Sequence, residues 1–221
     1  MLYIVATPIG NLSDITLRAL EVLKSVDFIL CEDTRVTKTL LSHYNISKPA
    51  ISYHQHSKLK KMEEIAGLLS QGKNLALVSD AGTPGISDPG GMLVEYIKNN
   101  LSKVKIVPIP GASAVVSALS ISGFPTDKFL FLGFPPHKKG RQKFWQEAAE
   151  AGHTVVFYES KYRIMKSLAE LQKATGEREA VVCREITKMF ETIYRGTIGE
   201  IMEEFKKTTP RGEYVVVVKN K

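Results

Sequence analysis

The chain alternates short apolar runs with amphipathic helical patterns along nearly its whole length. Apolar runs predict β-strands at residues 2–6, 27–31, 75–79, 104–109, 129–132, 154–158, 179–183 and 214–218. Most of them are continuously apolar, which is typical of strands covered on both faces. Between them helical spacing recurs, and Thr197 with Glu200 has the pattern of a capping box. The alternation predicts an α/β fold with largely parallel strand pairing.

The segment SGFPTD at residues 122–127 interrupts this pattern after a run of small residues. Its glycine and proline punctuation predicts a boundary between two α/β domains, residues 1–122 and 123–221. The stretch 106–126 carries no charge and is long enough to span a membrane, but its prolines, glycines and serines favour a strand, a turn and a buried helix. No membrane role is therefore expected.

Cys31 and Cys183 both lie in apolar, strand-like contexts. Free cysteines in such surroundings are usually buried thiols, which indicates a reducing compartment. The chain starts at once with the strand-like run LYIVA, without the basic and apolar regions of a signal peptide. We therefore expect a cytoplasmic protein.

Unusual loops follow three of the predicted strands. LYIVA leads into TPIGNLSD, LALVS into DAGTPGISDPG, and KIVPI into PGASA. Ligands of open parallel sheets lie beyond the carboxyl ends of the strands, so these loops are expected to share one edge and to face a ligand. For PGASA the alternative is close packing of a helix on the sheet.

The loops do not match the common nucleotide-binding patterns. The chain contains neither G-x-x-x-x-G-K-[ST] nor G-x-G-x-x-G, and DAGTPG follows the third predicted strand rather than the first. The net charge is +7, with cations concentrated in HKKGRQK at 137–143 and KLKK at 58–61. Such clusters are typical of a polyanionic partner, although either could be only a solvated face.

A series of segments carries a family resemblance: ATPIGNLSDIT, CEDTR, VSDAGTPGISDPG, PIPGASA, FLGFPP, FYES and REITKMFE, in that order. Together they resemble the tetrapyrrole methylase superfamily, and more closely its ribosomal RNA small-subunit methyltransferase I branch, the cytidine 2′-O-methylases. The resemblance covers nearly the whole chain. It implies a two-domain tetrapyrrole methylase-like fold with mixed, mostly parallel sheets and S-adenosyl-L-methionine in a cleft between the domains. It also implies a homodimer that acts on 16S ribosomal RNA, either free or in the assembled 30S subunit.

The same resemblance implies cofactor-binding residues. The Gly-Asp-Pro loop of the superfamily appears here as Gly82-Thr83-Pro84, with threonine where corrin and porphyrin methylases usually have aspartate. Matched motif by motif, the implied cofactor contacts are Pro8, Asp80, Gly82, Thr83, Ile86, Ser113, Ala114, Tyr158, Ile186 and Gly212.

Methyl transfer from a sulfonium to a ribose hydroxyl requires alignment of the two reactants and benefits from a general base. Glu159 in FYES and Asp33 in CEDTR are the favoured bases, with Asp88 as a third candidate. Glu159 or Asp33 could instead be a helix N-cap or an ion-pair partner. The candidates to hold RNA are arginines and a lysine, since these side chains bind phosphates: Arg35, which we group with the catalytic residues, and Arg163, Arg184 and Lys188. Arg184 could equally pair with Glu185.

Two other functions remain open: a small-molecule methylase that acts on a corrinoid or porphyrin, and a non-catalytic RNA-binding module. The threonine of Gly-Thr-Pro and the basic surplus favour the RNA methylase. Many family members carry a further C-terminal segment thought to help grip RNA, whereas this sequence ends at VVVVKNK. We therefore expect the dimer or the basic clusters to provide that grip.

His54 and His56 lie two positions apart and could share one face of a strand. Because no cysteine or carboxylate lies close to them in the sequence, we expect no metal site there.

Overall fold

The chain forms two compact units, Met1–Ser113 and Ala114–Lys221, in a computed structural model that describes residues 1–54, 59–207 and 210–220. The division falls before helix α5 (Ala114–Ser122) and not after it as the sequence predicts. The reason is that α5 packs against three strands of the second unit.

The first unit is built on a parallel sheet. Its strands in chain order are β1 (Leu2–Val5), β2 (Phe28–Cys31), β3 (Ala50–Ser52), β4 (Leu75–Leu77) and β5 (Ile106–Ile109), and their spatial order is β3-β2-β4-β1-β5. Every pairing among them is parallel. The carboxyl ends of these strands therefore lie at one edge, which we call the carboxyl edge.

Helices cover both faces of this sheet. They are α1 (Leu17–Ser25), α2 (Thr34–His43), α3 (Leu59–Ser70) and α4 (Gly91–Asn100). Helices α1 and α2 share one apolar cluster with the sheet, and α3 and α4 share another with its opposite face. Burial on both faces explains why the strand sequences are continuously apolar.

The second unit contains a mixed sheet. Its strands are β6 (Phe129–Phe131), β7 (Thr154–Ser160), β8 (Glu179–Arg184), β9 (Thr192–Thr197) and β10 (Glu213–Val218), in the order β6-β7-β10-β8-β9. The β6–β7 pairing is parallel and the others are antiparallel. Helices α6 (Arg141–Glu150), α7 (Ile164–Thr175) and α8 (Ile198–Lys206) pack on one face, while α5 contacts β7, β8 and β10.

These elements confirm the predicted α/β class and the predicted capping box, in which Thr197 and Glu200 exchange hydrogen bonds at the start of α8. Strands β3 and β9 are absent from the prediction because both are edge strands with exposed or polar residues. Both cysteines are free and buried, as expected, and burial raises the pKa of Cys183 to about 11. Among the described residues no helix is long and apolar enough to cross a membrane.

Candidate active site

The loops after β1, β4 and β5 meet at the carboxyl edge of the first sheet. Thr7, just after β1, and Gly82, in the loop after β4, form an antiparallel bridge. The Thr7 N–H donates to the Gly82 carbonyl at 2.9 Å, and the Gly82 N–H donates to the Thr7 carbonyl at 3.1 Å. Beside them, the Ala6 N–H donates to the carbonyl of Ile109, the last residue of β5, at 3.1 Å. The predicted common edge is thus confirmed for the three loops.

Two buried hydroxyl groups reinforce this junction. The Thr7 hydroxyl donates to the Ser79 carbonyl at 3.1 Å, and the Ser79 hydroxyl lies 3.1 Å from the Gly82 carbonyl. Both side chains are buried. Sequence reasoning missed both residues, although a hydroxyl residue directly after a buried strand and before a glycine loop is a usable signal. Their bonds hold the loop after β4 in one conformation.

Glycines allow the close approach of these loops. Gly82 has φ +82°, and a Cβ there would lie 3.4 Å from Ile9 Cγ2 and 3.7 Å from the Ala112 carbonyl oxygen. A Cβ on Gly111 would lie 3.0 Å from the Ala6 Cβ. Gly111 therefore lets the loop after β5 pack on the end of β1. Gly82 allows a left-handed turn in contact with both neighbouring loops.

The structure brings several of the predicted cofactor residues to this edge. Pro8 is buried next to the bridge, and Thr83, which follows Gly82, is half-buried. The Ile86 N–H donates to the Thr83 carbonyl at 3.3 Å, and the Ile86 side chain is 49% exposed. Ser113 follows directly on the Ala112 carbonyl that approaches Gly82. An exposed isoleucine within a loop of polar residues is a suitable contact for a ring or an apolar group of a ligand.

Asp33 and Asp80 add carboxylates at the same edge. Asp80 accepts a hydrogen bond from the Asp33 N–H at 3.2 Å, which joins the ends of β2 and β4. Asp33 is the N-cap of α2 and accepts from the Arg35 N–H at 2.8 Å and from its guanidinium at 2.6 Å. The side-chain hydrogen bonds from Arg35 lower the pKa of Asp33 to about 2. Asp33 is therefore an ionised carboxylate at neutral pH, held in place by the exposed Arg35.

Predicted residues of the second unit lie at one edge of the second sheet. Tyr158 is near the end of β7, Ile186 follows β8, and Gly212 precedes β10. Because β10 pairs antiparallel with both β7 and β8, the end of β7, the end of β8 and the start of β10 lie at the same edge of the sheet. The Lys161 N–H donates to the Gly212 carbonyl at 3.2 Å and closes this edge. Ala114 is elsewhere in the unit, as the first residue of α5.

Glu159 has the contacts of a structural carboxylate. Its side chain is completely buried and forms an ion pair with Arg163 at 2.9 Å. It also accepts hydrogen bonds from the Ser160 N–H at 2.7 Å and from the Ser167 hydroxyl. In β7 it has the same parity as Val155 and Phe157, which pack on the helices of the second unit. Asp33 also meets both alternatives, as an N-cap and an ion-pair partner, but its side chain is 28% exposed. Because Glu159 is completely buried, the structure favours the ion-pair alternative for it over the role of general base.

The cations predicted to hold RNA phosphates also have internal partners. Arg163 is engaged by Glu159, and the Arg184 guanidinium donates to the Arg211 carbonyl at 2.9 Å rather than to Glu185. Lys188 bridges Glu185 at 3.1 Å and Glu213 at 2.9 Å. Arg141 of the HKKGRQK cluster is buried. These side chains therefore form contacts inside the second unit.

His54 is exposed, while His56, and Lys58 of the second basic cluster, lie outside the described residues. Within residues 1–54, 59–207 and 210–220, no group of three His, Cys, Asp or Glu side chains is placed to hold a metal ion.

The parallel sheet of the first unit and the loops at its carboxyl edge are typical of α/β proteins that bind ligands beyond their strand ends. Comparison with known proteins identifies the family. Residues 1–202 match the family described as Tetrapyrrole (Corrin/Porphyrin) Methylases, and the chain belongs to this family.

Close relatives confirm the resemblance to one branch of it. The chain is 46% identical over 220 residues to ribosomal RNA small subunit methyltransferase I of Synechocystis sp.. The aligned region covers 99% of this chain and 78% of the relative. It is 45% identical over 220 residues to the protein of the same name from Thermotoga maritima, and this aligned region covers 100% of this chain and 98% of the relative.

A solved structure supports the fold. Cobalt precorrin-4 methyltransferase, CbiF, a cobalamin biosynthetic enzyme, superimposes with a TM-score of 0.71 at 19% identity, covering 99% of this chain and 94% of that chain. This likeness confirms the tetrapyrrole methylase fold.

Proposed function

We propose that the protein transfers a methyl group from S-adenosyl-L-methionine to the 2′-hydroxyl of a cytidine in 16S ribosomal RNA. The observation that carries the proposal is the 45–46% identity, over the whole chain, to proteins named ribosomal RNA small subunit methyltransferase I. The net charge of +7 suits a polyanionic substrate. We further propose that the protein works in the cytoplasm as a homodimer, as the family resemblance implies.

The carboxyl edge of the first unit fits the proposed cofactor. S-adenosyl-L-methionine, when bound, supplies an electrophilic methyl group on a sulfonium and carries a net positive charge. The carboxylate of Asp80 provides complementary charge at this edge, whereas the charge of Asp33 is balanced by Arg35. Thr83, the exposed Ile86 and the buried Pro8 are proposed to contact the rest of the cofactor molecule.

The remaining cofactor contacts follow from the resemblance to the family. They comprise Gly82 and Ser113 in the first unit, and Ala114, Tyr158, Ile186 and Gly212 in the second.

We propose that Asp33 accepts a hydrogen bond from the ribose 2′-hydroxyl and receives its proton as the methyl group is transferred. Two guanidinium nitrogens of Arg35, Nε and Nη2, donate hydrogen bonds to the Asp33 carboxylate, which restricts its orientation. A group with a pKa of about 2 is a weak base. Its effect therefore comes mainly from orienting the hydroxyl, and the larger share of the rate enhancement comes from holding the reactants in line.

The variant Asp33→Asn tests this role. Asparagine is also a good N-cap, so α2 should keep its start and the protein should stay folded. We expect kcat to fall by roughly 10²-fold, the lower end of the range for loss of a general base. Because Arg35 keeps the pKa of Asp33 far below neutrality, the wild-type kcat profile should have no acid limb from this group between pH 5 and 8. Unchanged kcat in Asp33→Asn would exclude Asp33 as the proton acceptor.

The function itself is tested with small ribosomal subunits that lack the modification. Purified protein, labelled S-adenosyl-L-methionine and these subunits are incubated, and the RNA is digested to nucleosides for mass spectrometry. We expect the label in 2′-O-methylcytidine. Label on a base would contradict the hydroxyl mechanism, and methylation of uroporphyrinogen without methylation of RNA would contradict the substrate. Failure to bind S-adenosyl-L-methionine in calorimetry would instead favour a non-catalytic RNA-binding module.

A further inference from the structure

Two arginines anchor the loop between β6 and α6. This β6–α6 loop comprises residues 132–140 and contains the sequence LGFPPHKKG. The Arg163 guanidinium donates to the Pro135 carbonyl at 2.8 Å, and the Arg141 guanidinium donates to the Pro136 carbonyl at 3.0 Å. Both bonds fix backbone carbonyls in the middle of the loop, so the loop is held at its centre as well as at its ends.

A buried polar network orients these arginines. The Arg141 guanidinium donates to the Ser167 hydroxyl at 2.8 Å and to Glu170 at 2.6 Å. Ser167 in turn donates to Glu159, which also pairs with Arg163. The carboxylate of Glu159 therefore acts on both anchors, directly on Arg163 and through Ser167 on Arg141. A network of this kind pre-organises the loop, although Glu170 at its outer end is partly exposed.

The anchored loop presents cations and an aromatic ring to solvent. His137, Lys138 and Lys139 are exposed, and in the described part of the chain neither lysine forms an ion pair. Phe134 is 51% exposed, and its ring lies 5.3 Å from the ring of Tyr158. Exposed lysines are typical of a solvated face, and a single exposed ring is common on protein surfaces, so this loop is informative only together with a second ring beside it.

A second exposed ring lies on the neighbouring turn. The β7–α7 turn, residues 161–163, adjoins the loop through the bond from Arg163 to Pro135. Tyr162 is 85% exposed, and the Lys161 ammonium lies 4.9 Å from the centre of its ring. The sequences of the loop and the turn contain no Asp or Glu. Together the two segments form a basic surface with two exposed rings, which we call the loop–turn surface.

We propose that the loop–turn surface binds single-stranded RNA. Lys138, Lys139 and Lys161 would contact phosphates, while Phe134 and Tyr162 would stack on bases. Aromatic rings interleaved with cations are the usual means of binding unpaired nucleotides, whereas cations alone would suit any polyanion. The surface adjoins Tyr158, one of the proposed cofactor contacts. This inference rests on the proposed function, and it assigns the RNA grip to the chain's own second unit.

The test uses two pairs of substitutions in the full chain and a matched control. Phe134→Ala with Tyr162→Ala removes the rings, and Lys138→Gln with Lys139→Gln removes two charges. Lys128→Gln with Lys173→Gln is the control, because it removes the same charge from exposed positions before β6 and in the last turn of α7, at the opposite edge of the sheet. Affinity for a short fluorescein-labelled single-stranded RNA is measured by anisotropy over a range of salt concentrations. Calorimetry with S-adenosyl-L-methionine verifies each variant's fold and cofactor site.

We expect the ring variant to lose roughly fivefold or more in RNA affinity, since stacking is worth at least that per base. The lysine variant should lower the salt slope by about 1.4, which corresponds to two phosphate contacts on a single strand. In methyl transfer both variants should raise KM for RNA with kcat retained, and the control should match wild type.

If both variants kept the wild-type RNA affinity and KM, the proposed RNA-binding role of the loop–turn surface would be contradicted, while the proposed function would stand. A change in self-association without a change in RNA affinity would also contradict the RNA-binding role, because it would assign the rings to an interface between copies. Failure of the wild type to methylate RNA would overturn the proposed function itself.

Discussion

Replacing Glu159 with alanine should lower the free energy of unfolding by about 3–5 kcal/mol, because it leaves the partly buried Arg163 without its carboxylate. The Ser167 hydroxyl loses its acceptor in the same step. The measurement is chemical denaturation of Glu159→Ala beside Glu147→Ala, a control that removes an exposed carboxylate from α6. The control should unfold within experimental error of wild type.

The milder Glu159→Gln distinguishes a positioning residue from a general base. Loss of a base should reduce kcat by roughly 10²–10⁴-fold. Loss of the network that anchors the β6–α6 loop should instead raise KM for RNA, with kcat and cofactor affinity close to wild type. A large fall in kcat in folded Glu159→Gln would contradict our interpretation and restore the catalytic role.

Gly82→Val should abolish most of the affinity for S-adenosyl-L-methionine, with a loss of roughly tenfold or more if about 1.4 kcal/mol of binding energy is forfeited. Valine disfavours φ +82°, and its methyl groups would meet Ile9 and the Ala112 carbonyl. The loop after β4 would therefore separate from the loops after β1 and β5. Calorimetry measures the affinity.

The control for this change is Gly72→Val. Gly72 has nearly the same φ, +83°, but a Cβ there has nothing within 4 Å. The residue lies in the turn before β4, away from the carboxyl edge. Both variants should lose about 1–2 kcal/mol of stability from the left-handed backbone, and only Gly82→Val should lose cofactor affinity. Equal effects on affinity in the two variants would show that backbone strain alone is responsible and that the loop junction is not the cofactor site.

The layered fold could be predicted because its signals are local. Continuous apolar runs such as that at residues 75–79 mark strands covered on both faces, and β4 forms at this position. The edge strands β3 and β9 give no such signal, because a strand with one free edge and an exposed face tolerates polar residues.

The candidate site could be predicted only in part. The carboxyl-edge loops were identifiable because glycine and proline after a strand mark a shaped loop. Thr7 and Ser79 were missed because the bond between them spans 72 positions. The ion pair of Glu159 with Arg163 cannot be read from local pattern, although strand alternation places Glu159 on the face of Phe157 and so towards the helices.

The sequence by itself determined which segments become strands and helices and where the loops that could receive a ligand begin, since apolar periodicity and turn residues act over a few positions. Tertiary structure decided which carboxylate remains accessible at the carboxyl edge and which is buried in an ion pair inside the second unit. Asp33 stays at the edge beside Asp80, whereas Glu159 is enclosed with Arg163 and Ser167. The physical reason is that the partner of a charged side chain is set by strand register and helix packing, which bring together residues that are distant in the chain.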